Sequence, residues 1–368
     1  MGNSHYVSCL AQEFGIKSRA FWHPMGCGSS TGPKPSSAAG KKVTIVKVEE
    51  KRKKSNLNPA DYVLSKRNGE VIVKDAGTID GQQFNVEECK DCDIFLMDHI
   101  ACVFVDECEG CRIFIGPTMS SVMIRNCSSM NCVIACQQFR TRDCTNCKFS
   151  LLCTTEPIIE TSTQLQFACF EFNYFSLRAQ LSEAQLNVWN NKWWMVHDFN
   201  KNSEKPNWSL LPKGEVQTLL RPDRCNGLTE DELNQERVVP VTLGSRQWPS
   251  EETCFIIFLP GADAYIGAVL NKVEATEGWE LCRARSTLLD VDRLKSLLSW
   301  TKESKLPSQC QGKELTGAQM CGAGILEQMQ EALSTTGLAA GSKLIRIVPS
   351  AQASALAKAF FEVWKDEI

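Results

Sequence analysis

A cysteine that returns at nearly constant spacing limits what this chain can fold into more than any other feature. Cys89, Cys108, Cys127 and Cys144 are separated by 19, 19 and 17 residues, and Ser162 continues the series after 18 more. Three residues before each cysteine stand Val86, Val105, Ile124 and Thr141. Three residues after it come Cys92, Cys111, Met130 and Cys147, and Leu165 holds that place in the next round. Strand-like runs follow, IFLM after the first unit and IFIG after the second. A unit that repeats on this scale buries its apolar face only against its neighbours.

Two architectures compete for this pattern. Cys89, Cys92, Cys108 and Cys111 have the spacing of a four-cysteine zinc site. Yet the unit runs on past four ligands, with Met130, Ser162 and Leu165 replacing cysteine in register, and leucine cannot ligate a metal. A parallel β-helix has no such difficulty. Each coil sets the same position above the last, and small, readily buried side chains such as cysteine fill the column. The stacked reading is adopted, with no metal.

Parity then assigns faces. Glu87, Asp106, Arg125 and Arg142 share one register and are all charged, so they face solvent. Asn85, Phe104, Met123 and Arg140 lie two residues earlier and face the same way, since side chains alternate along a strand. Phe104 and Met123 would form an exposed apolar patch there, unless the aromatic stretch 167–175 covers it.

Charge is uneven. The net charge is only −3, but residues 1–54 hold ten Lys/Arg against three acids, +7, which leaves −10 on the rest. A basic tail on an acidic body expects an anionic partner. Aromatics do not alternate with these charges as a single-strand nucleic-acid binder requires, so the expected partner is a membrane surface and not nucleic acid. Met25-Gly-Cys-Gly-Ser-Ser30 fits the myristoylation pattern, with Gly26 as acceptor and Cys27 as a palmitoylation candidate. It is internal, which suggests translation starting at Met25 and not at Met1. A single acyl chain binds marginally, and the cluster Lys51-Arg-Lys-Lys54 offers a further signal. No run is long and apolar enough to span a bilayer, and no secretory leader is apparent. The nineteen cysteines are therefore expected as thiols of a reducing compartment.

The chain divides into a tail (1–56), a β-helix domain (57–212), a polar linker (213–250) and an α+β domain (251–368). In the last, Thr253–Leu259 reads as a buried strand, followed by a helix to about Ala275. Residues 280–286 and 343–348 read as strands, and 291–300 and 351–366 as helices. The order suggests a ferredoxin-like sandwich, with 301–342 as an insertion.

The string Ala135-Cys-Gln-Gln-Phe-Arg-Thr-Arg-Asp-Cys144 resembles the signature of tubulin-cofactor-C domains. Gly77-Thr-Ile-Asp-Gly-Gln-Gln-Phe84, Pro157-Ile-Ile-Glu160, Asn190-Asn-Lys-Trp193, His197-Asp-Phe199 and Asn207-Trp-Ser-Leu-Leu-Pro212 extend the resemblance in order. It implies a right-handed parallel β-helix and a role as GTPase activator, or as binding module for tubulin or an Arf-like small GTPase. Within the family, the matching layout is an acylated Met-Gly-Cys start, the β-helix, and a C-terminal domain resembling nucleoside diphosphate kinase. By this resemblance Arg140 is an arginine finger, Gln137 and Gln138 lie beside the nucleotide, and Glu160 and Phe199 contact the GTPase. Parity alone leaves Arg142 as a rival to Arg140. The protein would bring no cofactor of its own, since GTP and Mg²⁺ belong to the partner, and would sit on the cytoplasmic face of the plasma or ciliary-base membrane. Kinase chemistry by a phosphohistidine is excluded for the last domain, because the four histidines are His5, His23, His99 and His197. His99 and His197 are expected to be core or family-structural histidines.

Overall fold

The computed structural model describes residues 58–201, 204–225, 237–335 and 343–362. The first section winds as a parallel coil built from β1 (Val63–Ser65), β2 (Val71–Lys74), β3 (Phe84–Glu87), β4 (Asp93–Leu96), β5 (Val103–Asp106), β6 (Arg112–Arg125), β7 (Asn131–Arg142), β8 (Lys148–Cys153), β9 (Ile158–Glu160) and β10 (Leu165–Cys169). Helix α1 (Leu177–Glu183) intervenes before β11 (His197–Asp198) and β12 (Trp208–Leu210). All these pairings are parallel. One side of the solenoid carries β1, β3, β5, the C-terminal halves of β6 and β7, then β9 and β11. A second side carries β2, β4, the N-terminal halves of β6 and β7, then β8, β10 and β12. Single bridges from Asn68 through Lys90, Glu109, Ser128 and Thr145 to Thr163 make the narrow third side.

The cysteine repeat is this narrow side. Cys89, Cys108, Cys127 and Cys144 stack in the core, and the N–H of Cys89 donates to Cys108 Sγ at 3.4 Å, that of Cys108 to Cys127 Sγ at 3.4 Å, and that of Cys144 to Ser162 Oγ at 3.1 Å. The chain turns sharply on either side of each first-column residue. Glu88, Glu107, Asn126, Asp143 and Thr161 precede it with positive φ, and Asp91, Gly110, Ser129, Asn146 and Gln164 precede the second column likewise. A Cβ at Gly110 would lie 2.4 Å from Asp91 Oδ1, so a side chain there would displace that carboxylate. The ladder reading is therefore what the fold realises. The 17 described cysteines are free thiols. Burial pushes Cys89 up to about 11 and Cys111 and Cys147 up to about 12, which leaves these three unreactive at neutral pH.

A prediction follows from Ser162. Cys108→Ser keeps an acceptor for the Cys89 N–H and is expected to cost about 1 kcal/mol in urea unfolding. Cys108→Leu overpacks the column and should cost about 1–3 kcal/mol. Melting unaffected by a strong chelator, with Cys108→Ser folded, is the pattern of a ladder; collapse under both treatments is that of zinc.

The solenoid core is continuous to its C-terminal end, and its second side is covered. Phe139, Phe149, Phe167 and Trp208 pack in series, with neighbouring ring centroids 4.9, 5.5 and 5.8 Å apart, and carry the core to its C-terminal end. On the second side the outward residues Phe95, Phe114, Val133 and Ala168 are apolar, and Phe170, Tyr174, Leu177 and Leu181 cover them. The segment 213–250, read as a linker, is seated there over part of its length, whereas Leu243 and Trp248 pack against Cys282 and Cys321. Val216, Leu219, Leu220 and Val239 are buried in the second-side cluster, and Lys148 pairs with Glu215 at 3.1 Å.

The stretch 167–175 thus covers the second side and not the column of Phe104 and Met123. That column is nonetheless mostly covered. Met123 is only 7 % exposed, and the Arg125 guanidinium lies over the half-buried Phe104 ring at 6.0 Å, itself held by Asp106 through two 2.7 Å bonds. The expected apolar patch is reduced to the half-buried Phe104 ring, because Met123 is buried and Arg125 of the next register lies across that ring.

The C-terminal section is β13 (Thr253–Phe258), α2 (Asp263–Ala275), β14 (Glu280–Leu288), α3 (Val291–Leu298), α4 (Leu306–Cys310), β15 (Glu314–Cys321), α5 (Ile325–Thr335), β16 (Ile345–Ile347) and α6 (Ser350–Glu362). The antiparallel order β14-β15-β13-β16 is ferredoxin-like. Helices α2 and α5 bury one face of the sheet, and α3, α4 and α6 the other. The expected insertion at 301–342 is overturned, for it supplies β15, which lies between β13 and β14, and α5. Its strand signal was hidden because β15 is buried on both faces and has no alternation. Gly317 is needed there, since a Cβ would lie 2.4 Å from the Phe360 ring.

Candidate functional site

The first side of the solenoid keeps its outward face, and this is where the candidate residues fall. Phe139 and Thr141 point into the core, so Arg140 and Arg142 point out between them. Register places Arg140 beside Met123 on one rung and Ile158 on the next, and His197 pairs with Ile158 beyond that. Arg142 pairs with Arg125 and Glu160 in the neighbouring column, which Phe199 continues by donating its N–H to Ile159 O at 3.1 Å. Adjacent strands are about 4.8 Å apart and alternate residues about 6.8 Å, so Arg140, Glu160 and Phe199 occupy one small patch. Gln138 lies two residues before Arg140, paired with Ser121.

Gln137 is different. It sits at the corner where the chain passes from the second side to the first, and its side chain is exposed. Its carbonyl is fixed by the N–H and Oγ1 of Thr155, both at 3.0 Å, and by Thr154 Oγ1 at 3.3 Å. The structure therefore brings Gln138, Arg140, Glu160 and Phe199 onto one surface with Gln137 at its border. Gly26 and Cys27 lie outside the described residues.

The neighbouring arginines have carboxylate company. Arg125 is clamped by Asp106, and Arg142 Nε lies 3.6 Å from Asp143 Oδ2, toward the turn. Arg140 has rungs on both sides and is half-buried. Such a surface offers a guanidinium in a partly desolvated setting, which is electrostatic chemistry. Among the described residues no group of three or more His, Cys, Asp or Glu is arranged to hold a metal.

His197 is not the core histidine that was one expectation for it. It is exposed, with its ring edge-on to Phe199 at 4.7 Å. The signal was its parity with Phe199, two residues on. His99 is nearly covered, its Nδ1 3.3 Å from Asp98 and 3.2 Å from Glu183.

Asp98 anchors the 77–84 loop that begins the coil below. Its carboxylate is 2 % exposed and accepts the N–H groups of Ile79 and Asp80 at 2.8 Å and of His99 at 2.9 Å. Burial alone would raise this carboxyl, but the backbone N–H groups of Asp80, Ile79, Gly77 and His99 outweigh it and hold it below the ordinary range. A depressed carboxyl stabilises the fold above its unfolded value, near pH 4, and the contribution is lost as pH falls through the lower folded value. Asp98→Asn is expected to cost about 1.5–3 kcal/mol at pH 7. It should also flatten the acid limb of stability below about pH 4, measured by urea titration at several pH values.

With this geometry in view, the comparisons with known proteins are specific. The family model for tubulin binding cofactor C matches residues 81–199. Protein XRP2 of Danio rerio is 42% identical over 264 residues, 67% of this chain and 70% of that protein. Protein XRP2 of Homo sapiens is 44% identical over 216 residues, 56% of this chain and 61% of that protein. Tubulin-specific chaperone C of Mus musculus is 33% identical over 85 residues, 22% of this chain and 25% of that protein. The match therefore spans less than two thirds of the human relative and slightly more of the zebrafish one. The chain belongs to the XRP2 family and carries a tubulin binding cofactor C domain.

Proposed function

We propose that this protein activates GTP hydrolysis by an Arf-like small GTPase, to which Arg140 is supplied in trans as an arginine finger. The observation that carries the reading is the placement of Arg140 on the outward face of the first side, with Gln138 two residues away, Glu160 on the next rung and Phe199 on the one after it. Phosphoryl transfer to water spreads charge over the γ-phosphate oxygens, and a guanidinium held rigidly against them lowers that barrier. Gln137 and Gln138 would lie against the nucleotide, with Glu160 and Phe199 on the GTPase surface. GTP and Mg²⁺ remain the partner's. Acyl chains on Gly26 and Cys27, with the basic cluster behind them, would hold the protein to the cytoplasmic face of the plasma or ciliary-base membrane, where lipidated cargo is trafficked.

Similarity to tubulin-specific chaperone C favours a second reading, in which the same face binds tubulin or the GTPase without catalysis. Single-turnover GTP hydrolysis by a panel of Arf-like GTPases, with and without the full chain, separates the two. Acceleration supports the activator, and GTP-dependent binding without acceleration supports the scaffold.

A further inference from the structure

Phe199 is 59 % exposed, yet the backbone beneath it is held unusually firmly. Strand β11 has two residues and, among the described residues, pairs with β9 alone, so by itself it is a short edge. Backbone bonds fasten it at two points, His197 N–H to Pro157 O at 2.8 Å and Phe199 N–H to Ile159 O at 3.1 Å. Side chains supply the rest. Asp198 Oδ1 accepts the Asn200 N–H at 2.9 Å, and Asp198 Oδ2 accepts Asn207 Nδ2 at 3.0 Å. Asn207 Nδ2 also lies 3.0 Å from Asn200 O. Asn200 Oδ1 then accepts the Thr161 N–H at 2.7 Å, and Thr161 Oγ1 donates to Asp143 Oδ1 at 2.5 Å. Thr161 adopts φ 43°, a conformation that a β-branched residue resists. The network spans three successive turns of the solenoid and converges on the residues either side of Phe199. The His197 ring closes one flank of the aromatic side chain.

A packed core residue needs no such scaffold, and an idle surface phenylalanine gains nothing from one. We infer that Asn200, Asn207, Asp198 and Thr161, with His197, are positioning residues that hold Phe199 extended as a docking pin for the GTPase. The inference rests on the function proposed above and deepens it. Order imposed before binding lowers the entropy lost on association, so the network acts on affinity. Arg140 stands on a different strand, two rungs away, so the rate at saturation is independent of it.

The test uses the full chain, its Phe199→Ala, Asn207→Ala and Asn200→Ala variants, the Phe199→Ala/Asn207→Ala double variant, and Asn200→Asp. Asn200→Asp retains an acceptor for the Thr161 N–H. Three readouts are taken: hydrogen exchange of residues 197–200, and affinity and saturating single-turnover rate with Arf-like GTPases, a non-hydrolysable GTP analogue serving for affinity. Asn207→Ala and Asn200→Ala should speed exchange at 197–200 while the rest of the chain stays protected, and weaken affinity about tenfold. The saturating rate should change less than about threefold. Asn200→Asp should restore most of the affinity. Adding Asn207→Ala to Phe199→Ala should change affinity less than about twofold, because the network acts through that ring.

Unchanged exchange in Asn207→Ala, or full additivity in the double variant, overturns the inference. A wild-type chain that binds without accelerating hydrolysis removes the catalytic reading alone and leaves this one to be decided by affinity. A wild-type chain that binds no member of the panel overturns the docking role, whatever the exchange shows.

Discussion

Arg140→Ala is expected to lower the stimulated single-turnover rate of GTP hydrolysis by about 10³–10⁵, close to the intrinsic rate of the GTPase. Affinity for the GTP-bound partner should fall by no more than about tenfold, since a guanidinium engaged chiefly in the transition state contributes little to the ground-state complex. Lysine keeps the charge and loses the planar fork, so Arg140→Lys should recover only a small part of the rate. Arg142→Ala is the control. Its guanidinium is already drawn toward Asp143 at the turn, and its loss should lower the rate less than about tenfold. Equal loss in both variants would move the finger from Arg140 to the pair. Loss in neither would leave the surface a docking site.

Gly116→Ala should be the most damaging single methyl in the solenoid. Gly116 lies in β6 where the strand bends from the second side to the first, and a Cβ there would sit 2.3 Å from Asp98 O and 2.7 Å from Leu96 O. Both are backbone atoms of the coil below, which cannot swing aside as a side chain can. Relief requires the two coils to part at the corner, beside the residue that anchors the 77–84 loop. A stability loss of about 3 kcal/mol or more is expected in urea unfolding. Because the corner also sets the entry into the first side, the variant's residual folded fraction should show weakened GTPase stimulation. A neutral Gly116→Ala would mean the coils are more loosely apposed than the geometry has them.

How much of this could be read beforehand follows from where periodicity survives. The cysteine columns were legible because every coil repeats them at the same inward corner, and Ser162 and Leu165 showed that the position asks for size and not for metal binding. The charged column was legible by parity. Phe104 and Met123 misled because parity says which way a side chain points and nothing of what its neighbours do. Arg125 reaches across from the next register, bound to Asp106, and covers the ring. Strand β15 was invisible because a strand buried on both faces has no alternation, and Gly317 and Gln319 weaken its β propensity. The site divides along the same line. Arg140, Gln138, Glu160 and Phe199 stood in recognisable strings, and so did Asn207, but its bonds, like those of Asn200 and Thr161, run between coils and no spacing along the chain encodes them.

A linear stack loosens from its free end, because a terminal unit has one neighbour where an internal unit has two. Phe199 stands on the last rung of the first side, and Arg140 two rungs inward. The bonds of Asp198, Asn200 and Asn207 oppose that loosening, so in Asn207→Ala warming should fray the grip on the partner before it disturbs the arginine. Affinity and the rate at saturation would then decline along separate temperature curves, the first well below the melting point and the second only near it.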